Sequence, residues 1–251
     1  MADPCAAILT AAETAARWHA DQKSKGTSGA PYINHLLEVA SLITEATGAK
    51  DPNLIVAGLL HDAIEDQDID RNEIARRFGK DVSALVAEVT DDKSLPPEER
   101  KRLQVKHAPR KSRRAKILKC ADKVSNVRSI ANDPPDWSPR RRLAYVQWGR
   151  EIVAGLRGAS TQLEGLFDEA AREAEQAIAA TISSQRPPAR TLAMKKTKHE
   201  KEHPPKWNPG NSERGKVVGT AKHGKGHSAP RNPSKTAKKE RAGRSLKTSN
   251  R

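Results

Sequence analysis

The chain has only two cysteines, Cys5 and Cys120, more than a hundred residues apart. They are too few for a disulfide framework, and Cys120 lies in an apolar helical run where a buried thiol is expected. No run of about 18 apolar residues is present, so no membrane span is expected. The N-terminus lacks a basic stretch followed by an apolar segment and a cleavage site, which argues against secretion. These absences together predict a cytoplasmic protein. Nothing between residues 1 and 185 alternates at period two, which excludes a sheet-based core. Aromatic residues make up 3% of the chain, and the last quarter holds one, Trp207. A base-stacking platform for nucleic acid is therefore absent there.

What is present divides into two populations. Residues 1–185 carry 27 Lys+Arg and 27 Asp+Glu; residues 186–251 carry 19 and 4. The whole formal charge of +15 thus sits in the last quarter. The sequence predicts a neutral domain over 1–185 and a basic, low-complexity tail over 186–251, disordered because it cannot bury enough surface to offset its chain entropy. Nineteen cations among Pro and Gly could bind RNA or another polyanion non-specifically through counterion release; the alternative is a solubilising extension with no partner.

Within 1–185 the apolar spacing predicts helices over 6–24, from His35 to near Gly48, and from Pro52 onward. Others follow at 71–78, 80–90, 97–106, 112–131, 139–157 and 160–183. Asp51-Pro52 and Ser138-Pro139 are cap-plus-proline starts. The run Leu54-Ile55-Val56-Ala57-Gly58-Leu59-Leu60 is apolar all round, so its helix should be central. The expected fold is all-α, a helical bundle of about eight to ten helices.

Chemistry concentrates at three places. The central helix is expected to deliver His61, Asp62, Glu65 and Asp66 at its C-terminal end. Negative charge there opposes the helix dipole and calls for a compensating cation, a metal or a Lys/Arg cluster. A solvated acidic loop running on through Asp68 and Asp70 is the competing explanation. His35 opens the second helix. Asp122 and Asn126 lie four apart on a buried helix, where Asp122 needs a partner, either in a site or as a salt bridge to Lys119 or Lys123. Two histidines and two aspartates suit a six-coordinate, hard-to-borderline ion such as Mn²⁺ better than structural zinc.

His35, His61-Asp62 and Asp122 resemble the His…His-Asp…Asp signature of the HD-domain metal phosphohydrolases. The segments Gly29-Ala30-Pro31-Tyr32-Ile33-Asn34-His35, Leu59-Leu60-His61-Asp62-Ala63-Ile64-Glu65-Asp66, Phe78-Gly79, Val89-Thr90-Asp91 and Lys119-Cys120-Ala121-Asp122-Lys123-Val124-Ser125-Asn126 are similar to the hydrolase domain of the RelA/SpoT family. Arg100-Lys101-Arg102-Leu103-Gln104-Val105 and Trp137-Ser138…Tyr145…Trp148 look closest to its small single-domain branch, which includes the metazoan SpoT homologue. The resemblance covers residues 5–180.

It implies a Mn²⁺-dependent 3′-pyrophosphohydrolase acting on (p)ppGpp. His35, His61, Asp62 and Asp122 would hold one metal ion, and Glu65 and Asp66 would orient and deprotonate the attacking water. Asn126 would help position the nucleotide substrate, with Lys25, Arg141 and Tyr145 as further contacts; Lys25 and Arg141 could equally be solvated surface cations. Three positions depart from the family pattern. Ser24 replaces an arginine beside the base, Pro97 a lysine near the phosphates, and Leu36 a proline. The first two leave open a related substrate, a (p)ppApp-type alarmone or the 2′-phosphate of NADPH.

Overall fold

The computed structural model describes residues 3–184. The expected disorder of the 186–251 tail lies outside them. Among the described residues there are ten α-helices, one 3-10 turn and two isolated β-bridges, with no strand. The helices are α1 (Pro4–Trp18), α2 (Ile33–Thr47), α3 (Pro52–Leu60), α4 (Ala63–Gln67), α5 (Arg71–Phe78), α6 (Lys80–Val89), α7 (Pro97–His107), α8 (Arg113–Asn132), α9 (Pro139–Leu156) and α10 (Thr161–Ser184). The 3-10 turn Ala108–Arg110 links α7 to α8.

The start signals operate as read. Asp51 accepts a hydrogen bond from Leu54 N at 3.1 Å, and Ser112 and Ser138 cap α8 and α9 through Ala115 N and Arg141 N. Gly48 closes α2 at φ +59°, a left-handed conformation that costs a glycine little. One helix is shorter than its spacing suggested: α1 stops at Trp18, not near residue 24. Past Trp18 the backbone finds other partners. Tyr32 N donates to Gln22 O and Ser24 N to Ala30 O, which turns residues 22–32 into a tight loop instead of another helical turn.

Every residue from Leu54 to Leu60 is buried, so α3 is central as its uniform apolarity required. It packs against α1, α2, α6 and α8. The other core element is α8, which lies along α10 and against α2 and α9 and buries Lys119, Asp122 and Lys123 with its apolar residues. Fully buried Leu36, Ile43, Leu59, Leu60 and Leu118 tie α2, α3 and α8 together. Each contributes about 1.5–3 kcal/mol, enough to hold charged groups close where these helices meet. Arg114, at the start of α8, donates to Asp51 at 2.7 Å and to Asp81 at 2.8 Å, joining the N-termini of α3, α6 and α8.

Two predictions arise from this packing. A Cβ on Gly155 would sit 2.9 Å from both Ala108 Cβ and Pro109 Cδ, neither of which can swing away. Gly155→Ala is expected to destabilise the protein by about 1–3 kcal/mol despite its better helix propensity, visible as a lowered Tm. Cys120 is buried, and burial pushes its thiol up to about 12, whereas Cys5 is exposed. A thiol-alkylating reagent should therefore modify native protein once, at Cys5, as read by peptide mass mapping; rapid modification of Cys120 would contradict this packing.

Candidate active site

Helix α3 ends at Leu60 and α4 begins at Ala63, so His61 and Asp62 occupy a break. His61 Nδ1–H donates to Gly58 O at 2.8 Å, and Asp66 N donates to Asp62 O at 2.7 Å, starting the new helix. This corrects the expected placement. Glu65 and Asp66 are in the first turn of α4, where the dipole favours negative charge, and not at the C-terminal end of α3. The helix-dipole argument for a cation therefore fails, and the demand for one rests on the histidines. The acidic-loop alternative accounts for other residues: Asp70 caps α5 through Asn72 N, and Asp68 ends α4 at φ +52°.

His35, in the first turn of α2, meets Ser125 of α8 through Nδ1 at 2.8 Å. Ser125 Oγ–H donates to Glu38 Oε2 at 2.6 Å, so it accepts from His35 Nδ1–H. Arg128 in turn holds Glu38 at 3.1 Å. Both histidines thus spend Nδ1–H on an acceptor and direct Nε2 inward. Both Nε2 atoms are buried without a hydrogen-bond partner. His61 Nε2 lies 3.1 Å from Asp62 Oδ2 and 3.7 Å from Asp122 Oδ1; His35 Nε2 lies 3.9 Å and 3.5 Å from the same atoms. Ligand atoms of His35, His61 and Asp62 all fall within 4.8 Å of one another.

Two buried nitrogen lone pairs facing two carboxylates demand positive charge between them. A divalent cation supplies it, and a mixed nitrogen/oxygen set fits such an ion. Without one, a proton substitutes. Burial works against a charged His61, yet Asp62 and Asp122 outweigh it and push the ring up to about 10. Burial likewise opposes ionisation of Asp122, but Lys123 and the two histidines hold its carboxyl well below the usual range. Lys123 Nζ is 3.2 Å and Lys119 Nζ 4.0 Å from Asp122 Oδ2. Asp122 Oδ2 faces the lysines, while Oδ1 faces the histidines and accepts from Asn126.

Residues 11–158 match the HD domain. The chain belongs to the HD-domain family, whose fold is that of metal-dependent phosphohydrolases. It falls among RelA/SpoT relatives. It is 46% identical over 169 residues to guanosine-3′,5′-bis(diphosphate) 3′-pyrophosphohydrolase MESH1 of Xenopus tropicalis, covering 67% of this chain and 94% of that protein. The human protein of the same name is 46% identical over 165 residues, 65% of this chain and 92% of that one. A solved structure of a metazoan ortholog of SpoT, one that hydrolyzes ppGpp, superimposes with a TM-score of 0.65 at 39% identity, over 67% of this chain and 95% of that one.

Beside the His35–His61–Asp62–Asp122 cluster the HD domain opens a cavity of about 380 Å³. Of the residues singled out in the sequence, Lys25, Asp62, Glu65, Asp66, Asp122, Asn126, Arg141 and Tyr145 all line it; His35 and His61 are not in its wall. Glu65 Oε1 pairs with Arg100 at 3.3 Å, and Oε2 accepts from Asp91 N at 3.4 Å. Asp66 accepts from Gln22 at 2.8 Å and lies 3.7 Å from Lys93. Arg141 is exposed, with its guanidinium over the Trp137 ring at 4.3 Å. Tyr145 sits between Trp137 and Trp148, with ring centroids 5.6 Å and 5.4 Å away.

Several wall residues had no assigned role in the sequence: Tyr32, Asp91, Gln104, Trp137 and Trp148; Lys119 and Lys123, read there as salt-bridge candidates for Asp122, also line the cavity. Tyr32 O–H donates to Asp62 at 2.5 Å, and burial together with that carboxylate raises its phenol far above the usual range, so it remains a donor. The signal that could have marked the lysines as wall residues was their position on α8, one residue after and three before Asp122. Two cations on a helix so apolar are costly unless anions meet them.

Proposed function

We propose that the chain is a (p)ppGpp 3′-pyrophosphohydrolase working with one Mn²⁺ held by His35, His61, Asp62 and Asp122. The observation that carries this reading is the pair of partnerless Nε2 atoms facing two carboxylates, beside a cavity walled by Lys25, Arg100, Lys101, Lys119, Lys123 and Arg141. Cations in that number suit a polyphosphorylated nucleotide, and the names of the MESH1 relatives supply the substrate class.

Bound there, the ion supplies Lewis-acid polarisation of a phosphoryl oxygen and acidifies water. The chain's own residues do the rest. Water adds to the phosphorus attached to ribose O3′, the O3′–P bond breaks, and pyrophosphate leaves while O3′ gains a proton. Glu65 takes the proton from the water, with Asp66 orienting it. Arg100 holds Glu65 in the free protein and is placed to turn toward the incoming phosphates. Lys119 and Lys123, buried next to Asp122, neutralise the diphosphate under attack. Asn126 positions the substrate from Asp122's helix, and Lys25, Arg141 and Tyr145 contact the nucleoside end.

Pro97 lines the cavity where the family resemblance expects a lysine, which favours testing an adenine alarmone and NADPH as alternative substrates. The experiment measures pyrophosphate release from ppGpp and ppApp, and phosphate release from NADPH, with and without Mn²⁺. Mn²⁺-dependent pyrophosphate release fastest from ppGpp is expected; release only from another of the three would reassign the substrate. The catalytic unit is residues 1–185 on this reading, so deletion of 186–251 should leave kcat/KM for ppGpp unchanged within about twofold. A collapse of activity would move the domain boundary, and a loss confined to RNA binding would assign the tail to polyanions. No described helix is long and apolar enough to cross a membrane, and both cysteines are unpaired, which fits a reducing cytoplasm.

A further inference from the structure

Lys25 is an exposed cation in the loop between α1 and α2, and its value to binding depends on how firmly that loop is held. The loop's base is secured by its own hydrogen bonds, Tyr32 N to Gln22 O at 3.0 Å and Ser24 N to Ala30 O at 2.8 Å. Its tip has two long ones of its own, Gly29 N to Gly26 O at 3.4 Å and Ala30 N to Ser28 Oγ at 3.2 Å. The rest comes from Asp133, which ends α8. One carboxylate accepts from Ser28 N at 2.9 Å, from Ser28 Oγ at 2.6 Å and from Thr27 Oγ at 3.4 Å. A backbone bridge between Gly26 and Pro135 lies alongside. The approach is so close that a Cβ on Gly26 would overlap the Asp133 carboxylate, and it would come within 2.6 Å of Asp133 O. Only glycine fits there.

The partner side of this contact is rigid. Asp133 N donates back to Ser129 O at 2.9 Å, and α8 also carries Asp122 and Asn126. Immediately downstream, Trp137 N donates to Pro135 O at 2.7 Å, and Trp137 lines the cavity under Arg141. The segment 133–137 therefore links the helix of a metal ligand, the loop of Lys25 and the aromatic wall.

We propose that Asp133 is a positioning residue for the nucleotide: by clasping the Gly26–Ser28 turn it holds Lys25 in the cavity wall shared with Trp137 and Arg141. It does not line the cavity itself. Its effect is preorganisation, since a lysine on a tethered backbone loses less freedom on binding than one on a loose loop. The proposal rests on the reading of this cavity as a nucleotide site.

The test uses the full-length protein loaded with Mn²⁺. Asp133→Ala is expected to raise KM for ppGpp by about 3- to 10-fold while kcat stays within about twofold. Lys25→Ala should raise KM comparably, and the double variant should be no worse than Lys25→Ala alone, because the clasp acts through that side chain. Asp133→Asn, which keeps an acceptor for Ser28 N, should recover most of the loss. Amide exchange at Ser28 and Gly29, whose N–H groups donate to Asp133 and to Gly26 O, should accelerate in Asp133→Ala when measured without substrate. The proposal is overturned if the two penalties add in full, if kcat falls at constant KM, or if exchange at these amides does not change. Should wild-type protein leave ppGpp intact, the substrate reading fails separately, and the clasp stands or falls on the exchange measurement.

Discussion

Replacing Glu65 by glutamine is expected to lower kcat by about 10²–10⁴ while the protein keeps its metal. Glu65 stands in the first turn of α4, three residues past Asp62, and it touches none of the four proposed metal ligands by hydrogen bond or ion pair. Glutamine preserves its length and can still accept from Asp91 N. The loss should therefore appear in turnover and not in metal content, measured side by side on the same sample. Glu65 acts only when ionised. Burial, with Asp91 and Asp62 nearby, raises its pKa above the ordinary glutamate value against the opposing pull of Lys119. Activity therefore falls on acidification through that raised pKa, at a higher pH than an unshifted glutamate would give. This acid limb of kcat/KM should flatten in Glu65→Gln. Retention of wild-type turnover in the variant would remove Glu65 from the mechanism and leave Asp66 as the base.

Asp122→Ala should abolish both metal binding and hydrolysis and should also destabilise the fold. Asp122 Oδ1 faces both orphaned Nε2 atoms, so its removal takes away one oxygen of the set. Its other oxygen is the anion facing Lys123 and Lys119, which are only 4% and 6% exposed. Removing one partner of a buried charge cluster typically costs about 3–5 kcal/mol, because the remaining charges stay desolvated. The Trp148 ring, 4.8 Å from Lys123 Nζ, offsets part of this. Metal analysis and thermal unfolding read the two effects. Asp122→Asn keeps the volume and removes the charge: it should lose metal as completely as alanine does and, by leaving the two lysines without their anion, also lower the Tm. A variant that binds Mn²⁺ normally would show that the site is built from His35, His61 and Asp62 without Asp122.

The architecture was legible because it depends on local rules. Apolar spacing, proline after a capping residue, and glycine at a helix end act within a few residues, so α2, α3, α5, α6 and the helices from α7 to α10 stand close to where their spacing put them. The uniform apolarity of 54–60 was enough to make α3 central, since a helix without a polar face has to be surrounded. His35, His61, Asp62 and Asp122 were likewise readable as a candidate ligand set, because the residue types are specified by the sequence itself.

What the chain does between residues 19 and 32, and at 61–62, was decided by tertiary structure. Continuing α1 past Trp18 and running α3 through to Asp66 both satisfied local propensity. In the folded protein, backbone groups of 22–32 bond to one another, and the His61 ring takes the Gly58 carbonyl, so neither helix continues. The break turns Glu65 and Asp66 from residues opposed by a helix dipole into residues favoured by one. Periodicity places a residue on a face and says nothing of which distant group will meet it. That is why Ser125 and Glu38 behind His35 and the clasp of Asp133 on Ser28 could come only from packing: each joins residues 87 to 105 positions apart.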